Sequence, residues 1–146
     1  MNNRKLHNDS TKKIAHIGIA VQNLDLALPF YTDILKLELE AIESVQSENV
    51  KVAFLKIGDT HLELLEPLDE SSPIQSFINK RGEGIHHIAL EVDSVSKRLK
   101  DMRENGIKLI NEEPKSGAGG AQIAFLHPKS TNGVLYELCE YKKGDE

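Results

Sequence analysis

The sequence predicts an α+β fold in which two β-α-β-β-β modules form one domain. The segment I-A-H-I-G-I-A-V (Ile14–Val21) recurs 71 residues later as I-H-H-I-A-L-E-V (Ile85–Val92), and V-A-F-L at 52–55 recurs at the same offset as I-A-F-L. An offset of 74 relates Glu63 to Glu137. A period that is kept over tens of residues indicates internal duplication. Each half is too small to bury a sheet face alone, so we expect the two halves to pack together.

The first module begins with a strand and a helix. Ile14–Val21 alternates in polarity and is rich in β-branched residues, which predicts a strand. Apolar residues at helical spacing predict a helix over Leu24–Leu35, with Asn23 as its N-cap. Pro29 predicts a late start or a bend in this helix, because proline is tolerated only in the first turn. Three further strands complete the module: Leu39–Val45, Val50–Ile57 and His61–Glu66.

The second module repeats this order after a connection at 67–84, which contains a short helical pattern at Pro73–Lys80. A strand at Ile85–Val92 precedes a helix at Val95–Asn105, which Asp93 or Ser94 caps and Gly106 closes. The remaining predicted strands are Lys108–Glu112, Ala121–His127 and Val134–Tyr141, with loops at 114–120 and 128–133. We therefore predict a disordered lead-in at 1–12 and a single domain at 13–141, with modules at 13–66 and 85–141.

The composition argues against several classes of function. The net charge of −5 and the absence of tryptophan argue against a nucleic-acid surface. No apolar run reaches the roughly 18–20 residues that cross a bilayer, and the polar N-terminus is unlike a signal peptide. The one cysteine, Cys139, fits a reducing compartment and lies in an apolar strand pattern, which predicts a buried, inert thiol. We therefore expect a cytoplasmic protein that binds neither nucleic acid nor membrane.

Four residues of the repeat are candidate ligands of one metal ion: His16, Glu63, His87 and Glu137. Alternate side chains of a strand share a face, so each candidate projects from a fixed position on a predicted strand. One such residue alone is more often structural, but one histidine and one glutamate per copy can deliver two nitrogen and two oxygen ligands to one point. This donor set suits Zn, Ni, Co, Mn or Fe(II). By the same alternation, His86 points to the opposite face and is assigned a structural role.

Three stretches carry a resemblance to a known family: H-I-G-I-A-V-Q-N-L, G-E-G-I-H-H-I-A-L-E-V, and I-A-F-L-H-P-K-S-T-N-G-V-L-Y-E-L-C-E. With the four candidate ligands, they make the chain similar to the vicinal-oxygen-chelate superfamily, which includes glyoxalase I, and within it to the methylmalonyl-CoA epimerase family. The resemblance covers residues 14–141. It implies a cupped mixed sheet around one divalent ion, often cobalt, and a cytoplasmic homodimer. The implied reaction is a 1,1-proton shift on methylmalonyl-CoA through a metal-stabilised enolate.

The resemblance also implies roles for individual residues. Glu137 is expected to be both a ligand and a proton carrier. Relatives place the second acid–base group in the hairpin between the second and third strands, at positions where this chain has Gln46 and Ser47, so Glu48 is the candidate here. A planar enolate needs one acid–base group on each face if the configuration is to change. The expected substrate contacts are Gly119, in a glycine-rich loop, and Lys129 and Ser130.

Two other functions stay open at this point. A glyoxalase I-like lactoylglutathione lyase would use the same metal and a similar proton shift on a glutathione adduct. A metal-free protein that binds a small ligand could use the same scaffold, but such proteins typically lose the four ligands that this chain retains. A ring-cleaving dioxygenase fits less well, because its three-residue iron site would contain one carboxylate.

Overall fold

The computed structural model describes residues 10–142 and confirms the α+β prediction with one eight-stranded mixed sheet. The predicted lead-in at 1–12 lies outside this range except for its last three residues. The strands are β1 (Lys13–Ala20), β2 (Glu38–Val45), β3 (Val50–Ile57), β4 (Thr60–Pro67), β5 (Gly84–Glu91), β6 (Lys115–Ser116), β7 (Gln122–Phe125) and β8 (Tyr136–Glu140). The α-helices are α1 (Leu24–Pro29), α2 (Pro73–Arg81) and α3 (Val95–Glu104).

The sheet joins the two modules edge to edge. Its strand order is β2-β3-β4-β1-β5-β8-β7-β6. Within the first module β1 pairs with β4 in parallel, and β5 pairs with β8 in the same way in the second. The antiparallel pairing of β1 with β5 connects the modules. The first strand of each module therefore lies at the centre of the sheet, where the two histidine-bearing strands are neighbours.

Helices α1 and α3 cover one face of the sheet and leave the other face to form a cup. Leu24 of α1 packs with Leu64 of β4, and Leu99 of α3 packs with Leu138 of β8. Because side chains alternate along a strand, Glu63 and Glu137, the neighbours of these leucines, point into the cup. No helix within residues 10–142 is long and apolar enough to span a bilayer.

The helix predicted at Leu24–Leu35 changes its geometry at Pro29. The side chain of Asn23 accepts a hydrogen bond from the Leu26 N–H, so the predicted cap is confirmed. After Pro29 the chain continues as a π turn over Phe30–Ile34, in which the Leu35 N–H donates to the carbonyl of Phe30. Proline has no N–H to donate to the carbonyl four residues earlier, and a wider turn follows directly. The predicted bend therefore takes the form of a π turn.

The predicted strand Lys108–Glu112 is wrong. Only an isolated bridge between Leu109 and Leu126 forms there. The strand that pairs with the outer edge of β7 is the short β6, which lies inside the predicted loop 114–120. The side-chain oxygen of Asn111 accepts the Phe125 N–H, which a regular ladder would direct to a backbone carbonyl. A side chain that accepts a hydrogen bond in place of a backbone carbonyl interrupts the pairing of the strands.

Candidate metal centre and cavity

The central strands bring histidine and glutamate side chains together over a small residue. His16 of β1 is level with Ala89 of β5, and Ala89 is level with Glu137 of β8. Ala89 is fully buried and rises only one carbon above the sheet. The longer side chains on either side can therefore meet above it.

Three of the four predicted ligands form a compact cluster. Nε2 of His16 lies 3.0 Å from Nε2 of His87 and 3.1 Å from Oε1 of Glu137, and Nε2 of His87 lies 2.9 Å from the same oxygen. All three residues are at most 6% exposed. Two imidazole nitrogens and one carboxylate oxygen thus form a nearly equilateral triangle in the floor of the cup.

The neighbouring level of the sheet, across β4, β1 and β5, explains why residue 18 is glycine. Gly18 of β1 pairs with Glu63 of β4 and is level with His87 of β5. A Cβ atom at Gly18 would lie 2.3 Å from Cε1 and 2.6 Å from Nδ1 of the His87 ring. The backbone of Gly18 does not have a positive φ, so glycine is required here for space. The missing side chain is what admits the His87 ring to the cluster.

Glu63 contacts the cluster from the side of His16. Its Oε2 lies 3.0 Å from Nδ1 of His16, and Glu63 is 5% exposed. The contact lacks hydrogen-bond geometry, so Nδ1 is a buried nitrogen with no hydrogen-bond partner among residues 10–142. Glu63 therefore lies beside the triangle and not at one of its corners, and its role as a fourth ligand stays a prediction.

Burial and ion pairing act in opposite directions on the cluster. Burial disfavours the charged form of His16, but its contacts with Glu137 and Glu63 outweigh this effect and raise its pKa to about 9. Burial likewise favours neutral Glu137, but hydrogen bonds with His16 and His87 lower its pKa to about 2. The protonated imidazole of His16 and the ionised carboxylate of Glu137 therefore stabilise each other.

The donor triangle fits a divalent metal ion. An octahedron with metal–ligand bonds of about 2.1 Å has edges of about 3.0 Å, close to the 2.9–3.1 Å sides measured here. The donor types suit borderline divalent ions.

The cluster lies in a cavity of about 280 Å³ whose wall is mainly apolar. Strands and loops of both modules contribute to it, including Val52, Leu65, Ile123 and Phe125. Cys139 also lines the cavity and is fully buried, and burial is the main cause that raises the pKa of its thiol to about 12. The predicted burial of this thiol is therefore confirmed, and its inertness stays a prediction.

Glu48 also lines this cavity. It ends the short 3-10 turn Gln46–Glu48 that joins β2 to β3. Its Oε2 lies 3.0 Å from Nζ of Lys115, whereas its Oε1 is buried without a hydrogen-bond partner. Lys115 is on β6, at the other edge of the sheet, so this ion pair helps to close the cup. The sequence pattern had not singled out Lys115.

The predicted substrate contacts lie outside the lining of this cavity. Gly119 donates its N–H to Glu43, and the hydroxyl of Ser130 accepts the Lys108 N–H. Lys129 is exposed in the neighbouring 3-10 turn. Their contact with substrate stays a prediction.

His86 does not point away from His87, so the predicted orientation was wrong. It lines the same cavity, and its Nδ1 lies 2.9 Å from Nδ1 of His87. Burial, followed by the proximity of His87, lowers the pKa of His86 to about 4. A change of register in β5 causes this, and strict alternation of side chains could not predict it.

Comparisons with known proteins agree on one family. The model of the glyoxalase/bleomycin resistance protein/dioxygenase superfamily matches residues 15–125. A solved structure of a hypothetical protein from Bacillus halodurans is 57% identical and superposes with a TM-score of 0.89, over 92% of this chain and 97% of its own. The Streptomyces coelicolor methylmalonyl-CoA epimerase, solved with 2-nitronate-propionyl-CoA, is 37% identical with a TM-score of 0.89, over 94% of this chain and 99% of its own.

Curated sequences separate the candidate functions. The ethylmalonyl-CoA/methylmalonyl-CoA epimerase of Cereibacter sphaeroides is 39% identical over 86% of this chain and 96% of its own length. The lactoylglutathione lyase of Arabidopsis thaliana is 26% identical, and the match covers 88% of this chain but 44% of the lyase. The chain is therefore more similar to the epimerases than to the lyase.

Proposed function

Because the chain belongs to the glyoxalase/bleomycin resistance protein/dioxygenase superfamily, we propose that its cavity is the active site of a methylmalonyl-CoA epimerase. The observation that carries the proposal is the presence of two carboxylates from different modules in one apolar cavity, Glu137 within the donor triangle and Glu48 in the β2–β3 turn. The enzyme is an isomerase that inverts carbon 2 of an acyl-CoA. This inversion needs two groups: one takes the proton from one face of carbon 2, and the other returns a proton to the opposite face.

His16, His87, Glu137 and the adjacent Glu63 would hold one divalent ion, with Co, Zn, Ni and Mn as candidates. When bound, the ion supplies positive charge that stabilises the enolate of the substrate. Burial of the donors in a mainly apolar cavity strengthens their electrostatic interactions.

The proton is moved by Glu137 and Glu48. Both contacts of Glu137 with the histidines use Oε1, so we assign proton transfer to its other oxygen. Among the residues that the structure describes, Oε1 of Glu48 has no hydrogen-bond partner, while Oε2 is held by Lys115. Each carboxylate thus has one oxygen fixed by the protein and one assigned to the substrate.

The size of the cavity limits what it can enclose. Its volume of about 280 Å³ lies below the roughly 300–1,000 Å³ of cavities that enclose drug-sized ligands, so it accepts the acyl end and not the nucleotide. A second cavity of about 540 Å³ adjoins it at His86, His87 and Leu135 and is lined by Lys80 and Arg81. We assign the coenzyme A portion to this side. Gly119, Lys129 and Ser130 remain proposed contacts at the rim, and a cytoplasmic homodimer remains the proposed state.

The test of this function follows one stereoisomer of methylmalonyl-CoA in deuterated water with metal-loaded protein. We expect deuterium at carbon 2 and loss of chirality. An absence of exchange, together with turnover of the methylglyoxal–glutathione adduct, would favour a lactoylglutathione lyase and refute the epimerase.

Glu48→Gln tests the second proton carrier, with Glu40→Gln in the same hairpin as its control. A general acid–base group contributes about 10²–10⁴-fold, so inversion should fall at least about 100-fold in Glu48→Gln. The isomer whose proton faces Glu137 should still exchange without inverting. Glu40 pairs with His61 outside the cavity, so Glu40→Gln should invert normally. Normal inversion by Glu48→Gln would remove Glu48 from the mechanism.

A further inference from the structure

His86 occupies a β-bulge at the centre of the sheet. Along the β1–β5 pairing, Gly18 is level with His87 while the next residue, Ile19, is level with Ile85. His86 is therefore the extra residue of β5. A bulge redirects a side chain that regular alternation would send to the other face, and bulges of this kind are common beside active sites.

The same irregularity occurs at the equivalent point of the first module. Between Ile14 and His16 the register of β1 also shifts, with Ala15 as the extra residue. The repeat offset of 71 carries Ala15 onto His86. The duplicated backbone thus has a bulge in each copy, but only the second copy places a polar side chain on it.

The side chain of His86 contacts Nδ1 of His87, the ring nitrogen that is not part of the donor triangle. Nδ1 of His86 lies 2.9 Å from Nδ1 of His87, whose Nε2 belongs to the donor triangle. The ring of Phe77 packs edge-on against His86, with ring centroids 5.0 Å apart. One of the two Nδ1 atoms must donate the hydrogen bond, and a His87 that binds a cation through Nε2 carries its proton on Nδ1.

We propose that His86 is a positioning residue for the metal centre: its Nδ1 accepts a hydrogen bond from the Nδ1–H of His87. This bond fixes the ring orientation of His87 and keeps Nε2 unprotonated. Ligand histidines usually donate to a carboxylate, a carbonyl or water. Here the acceptor is the adjacent imidazole, which the bulge turns to the same side of the strand. The inference rests on the metal centre of the proposed function, but not on the reaction.

A matched pair of variants tests the acceptor. Asparagine can place its side-chain oxygen where Nδ1 of His86 lies, and leucine has a similar shape without an acceptor. His86→Leu should lower the affinity for Zn²⁺ or Co²⁺ about 10–100-fold, measured by competition with a chelator, whereas His86→Asn should stay within a few-fold of the wild type. His61→Leu is the control, because His61 pairs with Glu40 away from the cavity.

A spectroscopic measurement separates positioning from general packing. With ¹⁵N-labelled histidine and bound zinc, the Nδ1–H of His87 should be present and protected from exchange in the wild type and His86→Asn, and unprotected in His86→Leu. Equal affinities of wild type and His86→Leu, an equal loss in both variants, or a proton on Nε2 of His87 would overturn the inference. A wild type that binds zinc in this way but does not exchange the substrate proton would refute the epimerase alone.

Discussion

Replacement of Gly18 by alanine should disable the metal centre through a single steric conflict. The added Cβ would lie 2.3 Å from Cε1 of His87, more than 1 Å inside the optimal carbon–carbon separation of about 3.5–4.0 Å. The added Cβ is bonded directly to the backbone of the central strand β1 and cannot rotate away, so the ring of His87 must move. We expect metal affinity to fall at least about 10–100-fold, the range found when the support of a ligand is removed.

The stability of the metal-free protein provides the quantitative test. Overpacking of a well-packed site costs about 1–3 kcal/mol, whereas Gly→Ala at a compatible backbone position stabilises by about 0.4–1 kcal/mol. Gly18 has no positive φ, and the three atoms nearest to an added Cβ all belong to the ring of His87. Gly18→Ala should therefore destabilise the wild type but be neutral or stabilising in the His87→Ala background. The coupling between the two sites should be about 1.5–4 kcal/mol.

Denaturant unfolding of the four proteins of this double-mutant cycle measures the coupling. Ala89→Gly is the matched control, because Ala89 is the repeat equivalent of Gly18 and lies level with His16. Removal of its Cβ should cost about 1 kcal/mol and leave metal affinity nearly unchanged. An equal destabilisation by Gly18→Ala with and without the His87 ring would refute the steric reasoning.

Two further predictions concern the proton carrier and the ion. Lys115→Met keeps the alkyl stem but removes the partner of Glu48, so inversion should slow while metal affinity stays unchanged; a parallel loss of metal affinity would contradict this. Removal of the ion by a chelator should lower the free energy of unfolding by about 2.7 kcal/mol relative to protein at an ion concentration about 100 times Kd. This difference should shrink as the pH falls below about 9, because a proton on His16 then competes with the ion, and identical melting temperatures with and without chelator would contradict it.

The repeat made the centre of the fold predictable. Alternation along each strand assigns His16, Glu63, His87 and Glu137 to defined faces, and duplication requires the two modules to present them in equivalent ways. The structure brings three of the four within hydrogen-bonding distance and places Glu63 beside His16. Alternation could not predict the side-chain conformation of each glutamate, because this depends on packing between strands that are distant in sequence.

The features that escaped prediction share one cause, which is a local departure from regular backbone geometry. His86 was assigned to the wrong face because a bulge adds one residue to β5. The strand expected at Lys108–Glu112 fails where the side chain of Asn111 takes a ladder hydrogen bond. The pattern also did not predict the short 3-10 turn at Gln46–Glu48. Glu48, which this turn places in the lining of the cavity, was a candidate from the family resemblance alone. In each case, local geometry overrides a rule based on uniform spacing.

Divergence between the two modules suits the chemistry of inversion. The offset of 71 carries Glu48 onto Gly119, so the first module has a carboxylate at the position where the second has no side chain. Glu137, in turn, comes from the second module and joins the donor triangle, whereas its counterpart Glu63 contacts the far nitrogen of His16. Two identical halves would place equivalent groups around the substrate. An inversion at one carbon needs an acid–base group on each face of the enolate. Under the proposed function, Glu48 and Glu137 supply one from each half of the duplicated chain.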